Sequence, residues 1–312
     1  MAGCDPRTLR GEAITRRTGV EHGCYDAAHQ RVLIDEWLAG RRLRQRGPTP
    51  ILSDSEVPTI ECVGEFWGID TDKGLDEHFC RSWSDWFPAL SRVHRTTFTR
   101  QAANLWAVNA QLRQQLLGLV SFDPAVSILD SFPVPVCRFG RADRCQRLAE
   151  LASFGRDEGA KQSFYGLRAH LRVCWPGVIA EGHLAPANLH DLALAEDLLA
   201  DAHGWALGDR AYWSPTRAGL LADQGIWLLA PPSRSAKTPM PRQPGRLTQA
   251  RRRIETVIGQ LVQRYHAKRV WARDAWHLWS RWQRKLLSHT LAVYLCQQTG
   301  LGSLHFADLL ST

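Results

Sequence analysis

The chain contains no apolar run approaching the ~18–20 residues that a membrane-spanning helix needs, so no membrane is expected among its partners. Its opening, Met1 to Ala13, lacks the apolar core of a signal peptide. It has eight cysteines but no C-x-x-C and no Cys or His at zinc-ligand spacing. The cysteines therefore read as reduced, mostly buried thiols of a cytoplasmic protein. There is no H-E-x-x-H, G-x-S-x-G or G-x-G-x-x-G, which removes the usual zinc-protease, serine-hydrolase and dinucleotide signatures. "GRDEGAKQ", residues 155–162, is one residue short of a P-loop and has no Ser or Thr after Lys161. No acid occurs between Asp223 and Glu255, and no strand pattern occurs before about residue 120.

What is present is 312 residues carrying a formal charge of +8, with 44% hydrophobic and 22% charged residues. That is ordinary globular composition, enough for one large domain or two smaller ones. The excess of Lys and Arg points to a polyanionic partner, nucleic acid or an anionic membrane surface. Thirteen tryptophans lie near apolar positions and read mostly as core.

Residues 25–40 read as a helix, followed by the basic run "RRLRQR". Residues 53–68 open with Ser53 and Glu56 at capping-box spacing and stop at Gly68. Residues 72–83 read as a short helix, and 95–118 as one long helix with Thr97 as N-cap. The first 120 residues thus form an all-helical module, with a helix-turn-helix-like arrangement. Arg100, Gln101, Asn104 and Asn109 are residue types that contact phosphates and base edges; a solvated helix face explains them equally well.

The pattern changes near Phe122. "AVSILDSF" is a short β-rich run whose apolar part ends at Asp130. Residues 164–175 alternate, with Tyr165, Leu167, Ala169, Leu171 and Val173 on one face and Arg168, His170 and Arg172 on the other. "GVIAEGHL" is a third strand, 189–204 an amphipathic helix, and "WALGD" a buried strand ending at Asp209. Residues 214–225 form a helix with Pro215 in its first turn, and "IWLLAPP" is a strand closed by prolines. This order gives an α/β domain over 121–300 with a mixed sheet. A basic, proline-rich loop at 231–247 is exposed and mobile. Two long helices, about 247–268 and 273–299, and a tail at 301–312 complete the chain.

Three arginines, Arg251, Arg252 and Arg253, stand shortly before Glu255. Ile254, Val257, Ile258, Leu261 and Val262 form the stripe that packs on a core, which places Glu255 at its edge, half turned toward the protein. Gly259, one turn later, leaves open space at a cost to the helix of about 1 kcal/mol. A local Arg–Glu pair would explain the arginines alone. Asp130 and Asp209, each read as the end of an apolar strand, lie where α/β ligand sites form; turn formation is the alternative for either. His170 reads as an exposed strand residue. Three acids beside a basic loop fit hard divalent cations, which take oxygen ligands and leave positions to water and phosphate. Two such ions about 3.5–4 Å apart activate a water or a 3′-hydroxyl for phosphodiester displacement.

In order and spacing, several blocks resemble the DDE-type insertion-sequence transposases of bacteria. They are "LSDSEV", "DTDKGL" and "TTFTRQAANLW" in the helical part, then "DSFPVPVCRFGRADRC", "YGLRAH", "PANLHD", "LGDRAYW" and "RRRIET". The resemblance spans about residues 25 to 300. It implies an RNase H-like catalytic core in which Asp130, Asp209 and Glu255 are the metal-binding and catalytic triad. The cofactor implied is Mg²⁺ or Mn²⁺, as two ions. The reaction implied is nicking at the terminal inverted repeats, then strand transfer into target DNA. Arg251 and Arg252 are the implied phosphate contacts, with Arg253, Arg168, Lys161, Arg100 and Asn104 as further DNA-binding residues. Lys161, Tyr165, Arg168 and His170 resemble an accessory strand beside the first aspartate. Thr248 and Val262 stand where many relatives have a tyrosine and a lysine, and Ala211 where a glycine is usual. The implied protein acts on double-stranded DNA as a homodimer at the cytoplasmic nucleoid. A DNA-binding regulator or decayed transposase without catalysis, and a nuclease without strand transfer, remain as alternatives.

Overall fold

The computed structural model describes residues 27–39, 41, 43, 47–232 and 245–310. Residues 1–26, most of the "RRLRQR" run and positions 233–244 of the basic loop lie outside them. No helix among the described residues is long and apolar enough to cross a membrane.

The N-terminal part is helical: α1 (Ala27–Leu38), α2 (Glu56–Phe66), α3 (Asp72–Ser82), α4 (Arg95–Asn104) and α5 (Trp106–Leu117). The capping box at the head of α2 closes in both directions. Ser53 N–H donates to Glu56 Oε2 at 2.7 Å, and Glu56 N–H donates to Ser53 Oγ at 3.1 Å. The single long helix read at 95–118 is two helices broken at Leu105, and its N-cap is His94, not Thr97. Leu105 is buried, and the break lets the two halves take different directions against the core.

Six strands follow: β1 (Asp123–Pro135), β2 (Ser153–Asp157), β3 (Gln162–Trp175), β4 (Val178–Pro186), β5 (Gly204–Leu207) and β6 (Ile226–Leu229). They form one mixed sheet in the order β2-β3-β1-β5-β6, with β4 also on β3. β1 is antiparallel to β3 and parallel to β5, and β5 is parallel to β6. Helices α6 (Ala195–Leu198), α7 (Pro215–Ala222), α8 (Gly245–Gln263) and α9 (Ala275–Gln298) complete the chain. One sheet face, through Ile128, Phe132, Leu167, Ala169 and Leu171, joins a large core with α8, α9 and the N-terminal helices. The other, through Leu129, Ala206 and Ile226, packs on α6, α7 and Tyr212. The α/β expectation is met by a mixed sheet flanked by helices.

Two local readings change. The amphipathic stretch 189–204 yields only a 3₁₀ turn, Asp191–Leu194, and the four-residue α6. Long-range partners outweigh helix propensity there: Arg172 binds Asp201, while Arg217 Nη1 donates to Leu192 O at 3.2 Å and to Glu196 at 2.8 Å. The tryptophans divide: Trp282 and six half-buried others, Trp37, Trp67, Trp83, Trp86, Trp175 and Trp279, pack in or against the large core, as read. Trp282 alone is fully buried, whereas Trp205, Trp227, Trp271 and Trp276 are exposed, in keeping with a side chain too large to be enclosed easily.

Helix α2 is buried along its whole length despite carrying Glu56, Glu61 and Glu65. Arg31 of α1 stands 3.2 Å from Glu56, and the charges that compensate Glu61 and Glu65 come from α9. Arg284 Nε donates to Glu65, and Arg284 Nη1 donates to Glu61 at 3.3 Å and to Asp72 at 2.9 Å. Lys285 Nζ donates to Glu65. Burial still raises Glu61 to about 7, against the opposing pull of Arg284.

His289, also on α9, is fully buried, and its Nε2–H donates to Gln260 Oε1 at 3.2 Å. Burial lowers its pKa to about 3, below the ~6.5 of an unfolded chain. The folded form therefore refuses a proton that the unfolded form accepts below pH ~6.5. Its contribution to stability is complete above that pH and is lost as pH falls toward 3. Denaturant unfolding of the wild type and His289→Gln at pH 7 and pH 5 checks this. The wild type is expected to lose about 2 kcal/mol relative to the variant; a pH-independent difference would rule it out.

Candidate active site

The parallel register of β1 and β5 runs Val126↔Trp205, Ser127↔Ala206 and Ile128↔Leu207, and there the pairing stops. Asp130 and Asp209 each lie two residues beyond that last pair, so the two strands deliver their aspartates to the same level of the sheet. Asp130 is not a strand end, as the sequence implied, because β1 continues to Pro135. Pro133 and Pro135 sit where β1 has left β5, so their missing N–H groups break no bond on that side. Asp209 closes β5 and caps the next turn, accepting from Ala211 N–H at 2.9 Å. Gly208 is required behind it, since a Cβ there would stand 2.7 Å from the Tyr212 side chain.

The electrostatics agree with the register. Burial raises Asp130 to about 6; the Ser131 N–H bond at 2.8 Å lowers it, Asp209 raises it, Arg251 lowers it and Asp191 raises it. Asp130 thus feels two other carboxylates and only one nearby arginine. Asp191, to which the sequence reading gave no role although it ends the "PANLHD" block, lies 3.3 Å from the buried His170 Nδ1. His170 is fully buried, which corrects its reading as an exposed strand residue. Burial lowers it to about 4, opposed by Asp191. The Tyr212 hydroxyl is buried with no hydrogen-bond partner among the described residues. Burial first, then Asp191, Asp130 and Asp209, raises its pKa. No motif in the sequence marks the His170–Asp191–Tyr212 grouping; only the fold reveals it.

Helix α8 buries Ala250, Ile254, Val257 and Leu261. Glu255 is exposed, not half turned inward, because the buried stripe is narrower than its apolar residues imply. No ion pair joins it to Arg251 or Arg252 among the described residues, so the local Arg–Glu explanation is not realised. The space beside Gly259 is open, since a Cβ there meets nothing within 4 Å. Arg251, one turn before Glu255, acts on Asp130. Arg252 is exposed, and Arg253 lies over the Trp175 ring at 5.2 Å.

Among the described residues, no three His, Cys, Asp or Glu side chains cluster closely enough to hold an ion. The chain brings Asp130 and Asp209 together, with Asp191 near, and leaves Glu255 on the exposed side of a helix whose preceding turn reaches Asp130. The donor chemistry of the aspartate pair fits a hard cation that keeps several waters.

The remaining sequence-derived residues fall in different places. Arg168 is half-buried and donates to Ser131 Oγ at 3.2 Å and to Arg156 O at 2.6 Å, beside the Asp130 strand. Lys161 is exposed at the β2–β3 turn with φ 54°. Arg100 and Asn104 are exposed on α4. Gln101 and Asn109 are not available to DNA: both are buried, the first donating to Leu52 O and Asp54 at 2.9 Å, the second to Glu61 at 3.0 Å. A groove of about 750 Å³ between Trp67, Arg264, His266 and Phe306 contains none of the three acids.

No curated protein matches the chain. A solved piggyBac transposase, in a synaptic complex with hairpin DNA, aligns over 92% of this chain and 78% of its own at 10% identity and a TM-score of 0.44, a likeness too distant to carry weight. Residues 122–270 match the transposase DDE domain model, a span that contains Asp130, Asp209 and Glu255. Over residues 122–270, just under half of its length, the chain is similar to the transposase DDE domain.

Proposed function

We propose that the chain cleaves DNA at the inverted-repeat ends of a mobile element and joins those ends to target DNA, in a reaction that depends on divalent metal. The observation that carries this reading is the register of β1 and β5, which sets Asp130 beside Asp209 in the span similar to the transposase DDE domain. The strand order, an antiparallel β1-β3-β4 set continued by parallel β5 and β6, supports an RNase H-like core.

Asp130 and Asp209 would hold the ion, with Glu255 as third ligand once DNA and metal draw its helix face inward. Bound Mg²⁺ or Mn²⁺, as two ions, supplies charge stabilisation for phosphodiester displacement. The chain's own side chains do the rest. The aspartates, fixed by the Ser131 and Ala211 N–H groups, present oxygens in a defined direction. Arg251 and Arg252 contact flanking phosphates. The N-terminal module, residues 1–120 with Arg100 and Asn104 outward on α4, contacts the element's ends, and two copies hold two ends together.

The test is nicking of DNA carrying the inverted repeats that bracket the gene, with Mg²⁺ or Mn²⁺ against chelator. Metal-dependent nicks with joined 3′-hydroxyl products support the proposal, and nicks without joining indicate a nuclease. The exposed position of Glu255 favours one other reading, a DNA-binding protein that has lost catalysis; binding with no cleavage in either metal would establish it. Affinity is expected to fall steeply with salt, and replacing both Arg251 and Arg252 with alanine should reduce the log–log salt slope by about 2. An unchanged slope, read by fluorescence anisotropy, would remove these arginines from the interface.

A further inference from the structure

An open pocket of about 480 Å³ lies between α5, β4 and α9 and contains none of Asp130, Asp209 and Glu255. That is room for a small ligand. Strand β4 reaches it through a bulge: Arg172 pairs with Glu181 but Val173 with Ile179, so Ala180 is an extra residue. Arg113, buried at the pocket from α5, holds the bulge. Its Nη1 donates to Ile179 O and to Ala180 O, each at 3.0 Å. Beyond the bulge, Glu181 and His183 are two residues apart, share one face of the strand and line the pocket. Glu181 Oε2 lies 3.9 Å from Arg113 Nη2 and 3.6 Å from His183 Nε2, and Glu181 Oε1 has no partner among the described residues. Burial opposes ionisation of this carboxyl, but His183 and Arg113 outweigh it and hold the group below its usual range. The α9 wall carries Trp279 and Gln283, one turn apart, and the α5 wall carries the exposed Gln111 and Gln114. Two buried polar atoms of the lining, Arg113 Nε and Gln283 Oε1, have no partner among the described residues. Such atoms are destabilising until something supplies the missing bond.

We propose that this pocket binds an unpaired guanine base, with Glu181 as the group that selects it and Trp279 as the surface on which it stacks. An ionised carboxylate only accepts hydrogen bonds, and it accepts best from two donors side by side. Guanine alone among the DNA bases places two adjacent N–H groups, N1–H and the 2-amino group, on one edge. Adenine and cytosine put a bare ring nitrogen there, which a carboxylate repels. The indole of Trp279 supplies a flat apolar face of the kind on which bases stack. The amides of Gln111 and Gln114 offer N–H groups to the purine acceptors O6 and N7, and Gln283 Oε1 accepts a further N–H or O–H of the ligand. Arg41, exposed at the rim, supplies positive charge for a phosphate. Duplex DNA does not fit this chemistry, because pairing with cytosine occupies the edge that Glu181 reads. The base comes either from a free nucleotide or from a single strand.

The full chain is titrated by calorimetry with the monophosphates of guanosine, inosine and adenosine, and with the single-stranded trinucleotides dT-dG-dT and dT-dA-dT. Saturable one-to-one binding of a guanine ligand is expected. Inosine monophosphate, which lacks the 2-amino group, should bind about tenfold more weakly than guanosine monophosphate, and adenosine monophosphate more weakly still. Glu181→Gln, whose amide sets a donor where guanine needs an acceptor, should lose the preference for guanine, with thermal unfolding confirming that the variant is folded. The nucleotide series uses the wild type, so a variant that does not fold leaves the test intact. Tighter binding of dT-dG-dT than of guanosine monophosphate assigns the site to a strand, and the reverse assigns it to a free nucleotide. The proposal is overturned if neither guanine ligand binds, if the adenine ligands bind as tightly, or if folded Glu181→Gln keeps the wild-type preference. None of these readouts involves DNA cleavage, so they stand or fall apart from the reaction proposed above.

Discussion

Asp130→Asn is expected to lower metal-dependent cleavage of end-containing DNA by about 10³-fold or more, while DNA affinity stays near that of the wild type. The substitution keeps shape and the possibility of the Ser131 bond but removes the charge that a cation needs. Asp209→Asn should do the same, because the strand register puts its carboxylate at the same level. Losses in the double variant should not add, since either aspartate alone leaves the ion under-coordinated. Glu255→Ala is the informative third case. If it abolishes cleavage, Glu255 moves into the site when DNA and metal bind. Cleavage at the wild-type rate would end the three-acid assignment and leave the aspartate pair standing. Wild-type rates from Asp130→Asn or Asp209→Asn would end the proposal itself. Rates come from single-turnover nicking, and affinity from the same DNA in anisotropy.

The second large effect concerns folding. Arg284→Ala leaves Glu61 and Glu65 buried on α2, with Lys285 still bonded to Glu65 and Arg281 held by Asp72 as the remaining cations of α9 beside them. Removing one partner of a buried ion pair costs about 3–5 kcal/mol, against a total stability of roughly 5–15 kcal/mol for a domain. A sharply lowered urea midpoint, or failure to fold, is expected. The sign of its pH dependence is opposite to that of His289. Glu61, already raised to about 7, rises further without Arg284, so the variant should regain stability as pH falls and the carboxyl becomes neutral. Arg284→Met with Glu61→Gln and Glu65→Gln should recover much of the loss. A midpoint unchanged in Arg284→Ala would show that the network contributes little.

Much of this was legible before any coordinates. The Ser53–Glu56 box, the strand at 164–175 and the open space at Gly259 depend on neighbours within a few residues, and the structure has them as read, although both faces of that strand are buried and the α8 stripe is narrower than its apolar residues imply. The errors fall where a distant partner decides. Gln101 and Asn109 look like DNA-contacting residues until Leu52, Asp54 and Glu61 are placed against them. The 189–204 helix shortens because Arg172 and Arg217 take its side chains and backbone. His170 looks exposed until the second core and Asp191 cover its face of the sheet.

The sequence by itself determined the α/β order of elements, the basic surface chemistry and the identity of the acids, because periodicity and charge are local properties of a chain. Only the tertiary structure decided that Asp130 stands level with Asp209, that Asp191, His170 and Tyr212 surround them, and that Glu255 waits outside. Register between strands some eighty residues apart is fixed by which side chains fill the two cores of the sheet, and no stretch of sequence contains that information alone.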